Sequence, residues 1–242
     1  MWYNLSMNVF VSVGIVILAM LIMASLQLVP GVFALLYHYT SGKHSTKRAS
    51  TLSLFFIIGT EIISAFFFIA AIYISNTLFI NDLDPHNNIL TWASIGILIA
   101  LSIASFFFYF RHPHGKDTEL FIPRKIATNL NLRASKVESP SDAFALGVLS
   151  NIPEILFTLP LYIVTATEII YMHTEYLADD FLTIVYILIS TIPLLIVYYS
   201  FRTKHNLATI IRSRIHDKNF HRLCLSLSYA TIAILMIFFR IV

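Results

Sequence analysis

A single cysteine, Cys224, in 242 residues excludes an internal disulfide and any dithiol redox pair within one chain. Its setting, Arg222-Leu-Cys-Leu-Ser-Leu-Ser, is that of an ordinary helical packing residue. Glycine is scarce at seven residues, and no glycine-rich phosphate loop, G-x-S-x-G or H-E-x-x-H is present. ATP hydrolysis and the common hydrolytic chemistries therefore lack their machinery; no enzyme activity and no cofactor are expected. Charge is scarcer still. Only 12% of residues are Asp, Glu, Lys or Arg, about half the share of a soluble domain. The net charge of +3 is too small and too dispersed for nucleic acid, and it points to anionic lipid instead.

What the chain has is apolar length. Hydrophobic residues make up 57%, and the mean hydropathy is +0.78, as in an integral membrane protein. Six apolar runs, about 8–37, 50–75, 89–110, 143–171, 181–201 and 222–242, match the roughly 18 or more residues needed to cross a ~30 Å hydrocarbon core. Their apolarity is continuous rather than alternating, which predicts helices and not a barrel. The longest polar stretch is too short for a soluble domain, so residues 1–242 form a single membrane domain. Its amino terminus carries no positive charge ahead of the first run and reads as a retained span.

Basic residues sort the loops. Lys43, Lys47 and Arg48 lie between runs one and two, and Arg111, Lys116, Arg124, Lys125, Arg133 and Lys136 between three and four. Arg202, Lys204, Arg212, Arg214, Lys218 and Arg222 flank the last connection, while the other two loops have none. The positive-inside rule makes the basic loops cytoplasmic and places both termini outside a multi-pass plasma-membrane protein. Two cytoplasmic segments, Asn206–Phe220 and Phe121–Val137, have the pattern of basic amphipathic helices on the inner lipid surface.

A shift of 130 residues lays each run of the first half on one of the second, one on four, two on five and three on six. Leu26–Pro30 then falls on Leu156–Pro160, and Gly59-Thr60-Glu61 on Ile189-Ser190-Thr191. Three spans per half give the halves opposite orientation: repeat 1 is about 8–110, a cytoplasmic linker about 111–142, and repeat 2 about 143–242. The fold class expected is all-α, six transmembrane helices as two inverted three-helix repeats. Runs one and four are long enough to require a kink or break, for which Pro30, Gly31, Pro153 and Pro160 are the candidate hinges.

Two carboxylates sit inside the apolar runs with no Lys or Arg to neutralise them: Glu61 in 50–75 and Glu154 in 143–171. An intramembrane acid is costly and normally faces a partner, an ion path or water. Thr60 beside Glu61, Ser150 and Asn151 beside Glu154, and Gln27 ahead of Pro30 complete a candidate substrate or ion site. Glu168, one turn from the outer boundary, reads as an interfacial residue. The histidines, among them His112 and His114, gather beside cytoplasmic loops in no zinc-like spacing, and no metal is assigned.

The three-plus-three plan, the Leu-Val-Pro30-Gly31 element, and Phe144-Ala-Leu-Gly147 leading into Ser150-x-x-Pro153 and Pro160-Leu-Tyr162 resemble the lysine exporter superfamily. That group includes amino-acid exporters, cadmium-resistance transporters and the thiol–disulfide carriers of cytochrome c biogenesis. The carriers have a cysteine after the proline of each paired span, where this chain has Gly31 and Glu154. The resemblance thus implies export rather than electron transfer. The expected function is a proton- or cation-coupled secondary transporter of a small solute (amino acid, amine or metal ion). The alternative is a non-transporting scaffold that recruits a partner or lipid through its basic helices. The lipid bilayer is the expected partner, and homo-oligomers are left open.

Overall fold

The computed structural model describes residues 11–24, 46–81, 89–111, 129, 132–134, 136–152, 155–171, 176–202 and 218–240. The elements among the described residues are helical: α1 (Val11–Ala24), α2 (Thr46–Asn81), α3 (Ile89–Arg111), α4 (Pro140–Asn151), α5 (Ile155–Tyr171), α6 (Tyr176–Arg202) and α7 (Lys218–Arg240). By length and composition α2 is the helix that can cross a membrane: Lys47–Thr77 spans 31 apolar-rich residues. The other apolar stretches are shorter among the described residues. Several helices outrun their apolar runs. Thus α2 takes in Lys47 and Arg48, and α6 takes in Asp179 and Asp180, because backbone hydrogen bonding continues where apolarity stops. Gln27, Pro30, Gly31, Pro153 and Glu154 lie outside the described residues, as do most of the 206–220 segment and most of 121–137.

Two apolar clusters share one pair of helices. In the first, Ile15, Ala19 and Ile22 of α1 and Leu161 and Val164 of α5 pack with Ile95 and Leu98 of α3 and Tyr229, Ile232 and Met236 of α7. In the second, Val16, Met20 and Met23 of α1 and Tyr162, Ala166 and Ile169 of α5 pack with Phe68 and Ala71 of α2 and Tyr186 of α6. Hence α1 and α5 are central, with α3 and α7 on one side and α2 and α6 on the other. Ser102 on α3 and Ser226 on α7 clasp that pair by donating to each other's backbone carbonyls at 2.9 Å.

Directions follow from the side-chain contacts. Ser50 near the start of α2 meets the Tyr198 hydroxyl near the end of α6 at 2.7 Å, and Phe68 further along α2 stacks on Tyr186 at 4.2 Å, so α2 and α6 are antiparallel. Arg48 donates to the Glu138 carbonyl at 2.7 Å, and Thr60 to the Gly147 carbonyl at 3.4 Å, so α2 and α4 are parallel. Two helices of the second half also begin at a nearly fixed offset from those of the first: α6 at 176 against 46 for α2, and α7 at 218 against 89 for α3.

The outer surface is apolar as well as the core. Large apolar side chains such as Ile62, Phe66, Tyr73, Phe107, Leu188 and Phe238 are exposed, and Ser53, Ser64, Asn151, Thr165 and Glu168 are buried beside the apolar clusters.

The start of α4 is fixed by a capping box. The Ser139 hydroxyl accepts from the Asp142 amide at 3.2 Å, and the Asp142 carboxylate accepts from the Ser139 amide at 3.1 Å. Hydrogen bonding to the carboxylate from the Ser139 side chain first, and then from the Ser139 amide, holds the Asp142 carboxyl below the usual carboxylate range. Because the folded value is depressed, the stabilisation is complete above the unfolded value and is lost as pH falls through the folded one. Ser139→Ala should return the Asp142 titration, followed by NMR, toward its ordinary position and speed amide exchange in the first turn of α4.

Candidate functional site

A backbone-to-backbone approach joins α2 to α4, and its cause is a reciprocal pair of glycines. A Cβ on Gly59 would collide with the Phe144 carbonyl oxygen and lie 3.1 Å from its carbon. A Cβ on Gly147 would collide with the Phe56 carbonyl oxygen and lie 3.0 Å from the Thr60 nitrogen. Only hydrogen at both positions lets the backbones touch, the small-residue logic of helix pairs in lipid.

Close approach brings polar groups into a continuous seam. The Thr60 hydroxyl donates to its own helix at the Phe56 carbonyl, 3.1 Å away, with the Gly147 carbonyl of α4 at 3.4 Å. Ser150 donates to the Gly147 carbonyl at 2.8 Å. The Asn151 amide donates to the Thr60 carbonyl at 3.2 Å and also to the Ser64 hydroxyl. Thr60, Ser64, Ser150 and Asn151 are all buried. The structure therefore brings together Thr60, Ser150 and Asn151 of the site expected from sequence with Ser64, which the sequence places one helical turn beyond Thr60 on α2.

Glu61 occupies the adjoining stripe of α2, between Ile57 and Phe68. Both of its carboxyl oxygens are shielded from solvent and neither has a hydrogen-bond partner of normal geometry. The polar side chain that faces it is Thr191 of α6. Thr191 gives its hydroxyl proton to the Ile187 carbonyl at 2.7 Å, and Ser190 does the same at 2.8 Å, so neither proton is spent on the carboxyl. A carboxyl with no fixed charge beside it among the described residues can hold a proton or a small cation. Pro193 inside α6, two residues beyond Thr191, denies the preceding turn one backbone donor and weakens the helix at this level.

Two turns from Glu61 along α2, three rings from three helices close the interior. Phe68 stacks on Tyr186, and Tyr162 lies against both at 5.8 and 6.2 Å. All three are almost wholly buried.

Glu168 corrects the expectation of an interfacial residue: it is 0% exposed. Its spacing from Leu161 and Val164 places it on the stripe of α5 that packs toward α1, α3 and α7. The signal was this seven- and four-residue spacing, which outweighs nearness to the end of the run. Pro160 lies within α5, which continues through it. The run 143–171 is nonetheless carried by two helices, α4 ending at Asn151 and α5 beginning at Ile155. No group of three or more His, Cys, Asp or Glu able to hold a metal occurs among the described residues.

No known protein-family model matches the chain, and no characterised protein or solved structure does so.

Proposed function

We propose that the chain is a multi-pass membrane transporter, a proton- or cation-coupled exporter of a small solute in the amino acid, amine or metal-ion class, with Glu61 as a coupling group. The observation that carries this reading is the solvent-shielded carboxyl of Glu61, facing Thr191 inside the bundle without a hydrogen bond of normal geometry. A carboxyl kept only for helix adhesion would be expected to make the hydrogen bonds that repay its burial. The polar seam of Thr60, Ser64, Ser150 and Asn151 supplies solute-binding groups one face away. Pro30, Gly31, Pro153 and Glu154 complete the proposal as hinges and second acid.

The same proposal takes the chain as six spans in two inverted halves, in the plasma membrane, with both termini outside. Large apolar side chains on the outer surface and polar ones buried beside the apolar core suit lipid as solvent. The near-constant offset between helix starts, the antiparallel run of α2 against α6, and the central position of α1 and α5 all suit a two-fold relation between halves. The span pattern's resemblance to the lysine exporter superfamily points to export.

Purified protein in proteoliposomes should drive pH-gradient-dependent counterflow of at least one solute from a panel of amino acids, amines and divalent metals. Absence of flux across the whole panel would shift the reading to the scaffold. Orientation has its own test: cysteines introduced at Asn81 or Asp179 should react with an impermeant maleimide applied outside cells, and those at Thr46 or Ser213 should not. The opposite labelling pattern would invert the topology.

A further inference from the structure

Glu61 faces its own counterpart. The 130-residue offset between the halves carries position 61 to position 191, and Thr191 is the residue opposite Glu61 across the α2–α6 contact. The two facts are independent, since the offset comes from where helices begin along the chain, whereas the facing pair is set by how α2 and α6 pack. Along antiparallel helices the partner retreats on one as position advances on the other. Ser50 with Tyr198 and Phe68 with Tyr186 bracket Glu61 with Thr191 in that way. In two helices related by a two-fold axis, a residue meets its own counterpart only where the axis crosses. Resting on the reading of two inverted halves, we propose that Glu61 and Thr191 lie on a two-fold axis in the membrane plane and form one ion station that serves both sides of the membrane.

The chemistry at such a point has a specific character. A site off the axis would have a near side and a far side, and an inverted repeat would need a copy of it in each half. On the axis one carboxyl suffices, because exchanging the conformations of the halves exposes the same group to the other face. The second half accordingly supplies a hydroxyl at the equivalent position rather than a second acid, which avoids two carboxylates repelling each other across the contact. Thr191 is a positioning residue. With its proton on the Ile187 carbonyl its oxygen is free to accept from a protonated Glu61, and rotation of the hydroxyl would let it donate to an ionised one. No Lys, Arg, His or Asp from α1, α3, α4, α5 or α6 stands at mid-span among the described residues. The other interior carboxyl among the described residues, Glu168, shares by its spacing the α5 stripe of Leu161 and Val164, which packs toward α3 and α7.

Equivalence about an axis makes the two positions interchangeable, and that is the test. Glu61→Thr alone should lose pH-gradient-driven flux, and the exchanged protein, Glu61→Thr with Thr191→Glu, should recover it to within about tenfold of wild type. An exchanged protein that folds but is as inactive as Glu61→Thr overturns the proposal. A readout independent of transport is mass-spectrometric mapping after reaction with a hydrophobic carbodiimide, which adds to carboxyls in apolar surroundings. Label at position 61 in the wild type and at position 191 in the exchanged protein supports the axis even if no solute in the panel is carried. Label that never appears at 191 overturns the equivalence. Should the exchanged protein not fold, Glu61→Cys with Thr191→Cys in a Cys224→Ser background decides: an intrachain cross-link by a short bifunctional reagent supports the axial contact, and its absence refutes it.

Discussion

Gly147→Ala should be among the most damaging single-methyl additions available in this protein. The new Cβ would meet the Phe56 carbonyl oxygen and the Thr60 nitrogen, both main-chain atoms of α2, so no side-chain tip can swing aside to admit it. The helices must separate, and overpacking of this kind costs about 1–3 kcal/mol. Separation also lengthens the Thr60-to-Gly147 bond, already 3.4 Å, and pulls Asn151 from the Thr60 carbonyl, so the upper end of that range is expected. Gly59→Ala strikes the Phe144 carbonyl from the other side and should cost a similar amount. The double variant should cost less than both together, since the first methyl has already opened the contact the second would open. Gly14 and Gly96 supply the contrast: a Cβ at either meets nothing within 4 Å, so Ala there should be neutral or stabilising by up to about 1 kcal/mol through helix propensity. Unfolding in detergent with a denaturant series measures all five variants. Equal behaviour of Gly147→Ala and Gly14→Ala would mean that α2 and α4 are not locked by their glycines.

That lock matters beyond stability because it fixes the level of the polar seam. With Gly59 and Gly147 in register, Asn151 reaches two residues of α2 at once, and Glu61, on the next stripe, is turned to α6 rather than α4. A transporter needs one rigid contact about which another can move. The α2–α4 crossing is rigid by backbone contact, whereas α6 carries Pro193 and the Ser190–Thr191 pair that bonds back to its own helix, a combination that loosens and bends helices.

Much of the helical architecture could be read from the chain because apolar runs longer than a bilayer is thick admit few structures other than helices. The residues of the seam were legible for the same reason: Thr60, Ser150 and Asn151 are conspicuous when everything around them is Ile, Leu or Phe. Their partners were not. Asn151 stands next to Glu154 in sequence, yet its amide is directed to Ser64 and the Thr60 carbonyl on another helix. Which polar group meets which depends on the crossing of α2 and α4, set by Gly59 against Gly147, a pairing that the local sequence around either glycine does not reveal. Glu168 shows the complementary failure. Distance from the end of an apolar run suggested the interface, but burial depends on azimuth, and its azimuth is that of Leu161 and Val164. Thr191 drew no attention as a functional residue, because a threonine in an apolar helix is unremarkable until its helix is laid against Glu61.

The largest functional effect expected is from Glu61→Gln. Glutamine keeps the length of the side chain, its planar end and its ability to occupy the space facing Thr191, but it cannot bind and release a proton or carry the charge that would hold a cation. If Glu61 couples solute movement to an ion gradient, the variant should insert and fold normally, bind solute, and lose gradient-driven flux by about a hundredfold or more, the loss of a whole catalytic proton-transfer group. Solute exchange at equal concentrations on both sides needs the conformational change but no net ion movement, so it should survive in part. That split separates a coupling group from a structural one. A carboxyl that merely filled space would, on conversion to Gln, change both modes together or neither. Glu61→Leu sharpens the comparison, because removing a buried polar group that lacks hydrogen-bond partners should leave the fold as stable as the wild type or more so. Wild-type flux with unaltered gradient dependence in Glu61→Gln would remove the carboxyl from the mechanism. A stability loss of several kcal/mol in Glu61→Leu would make it a structural residue instead.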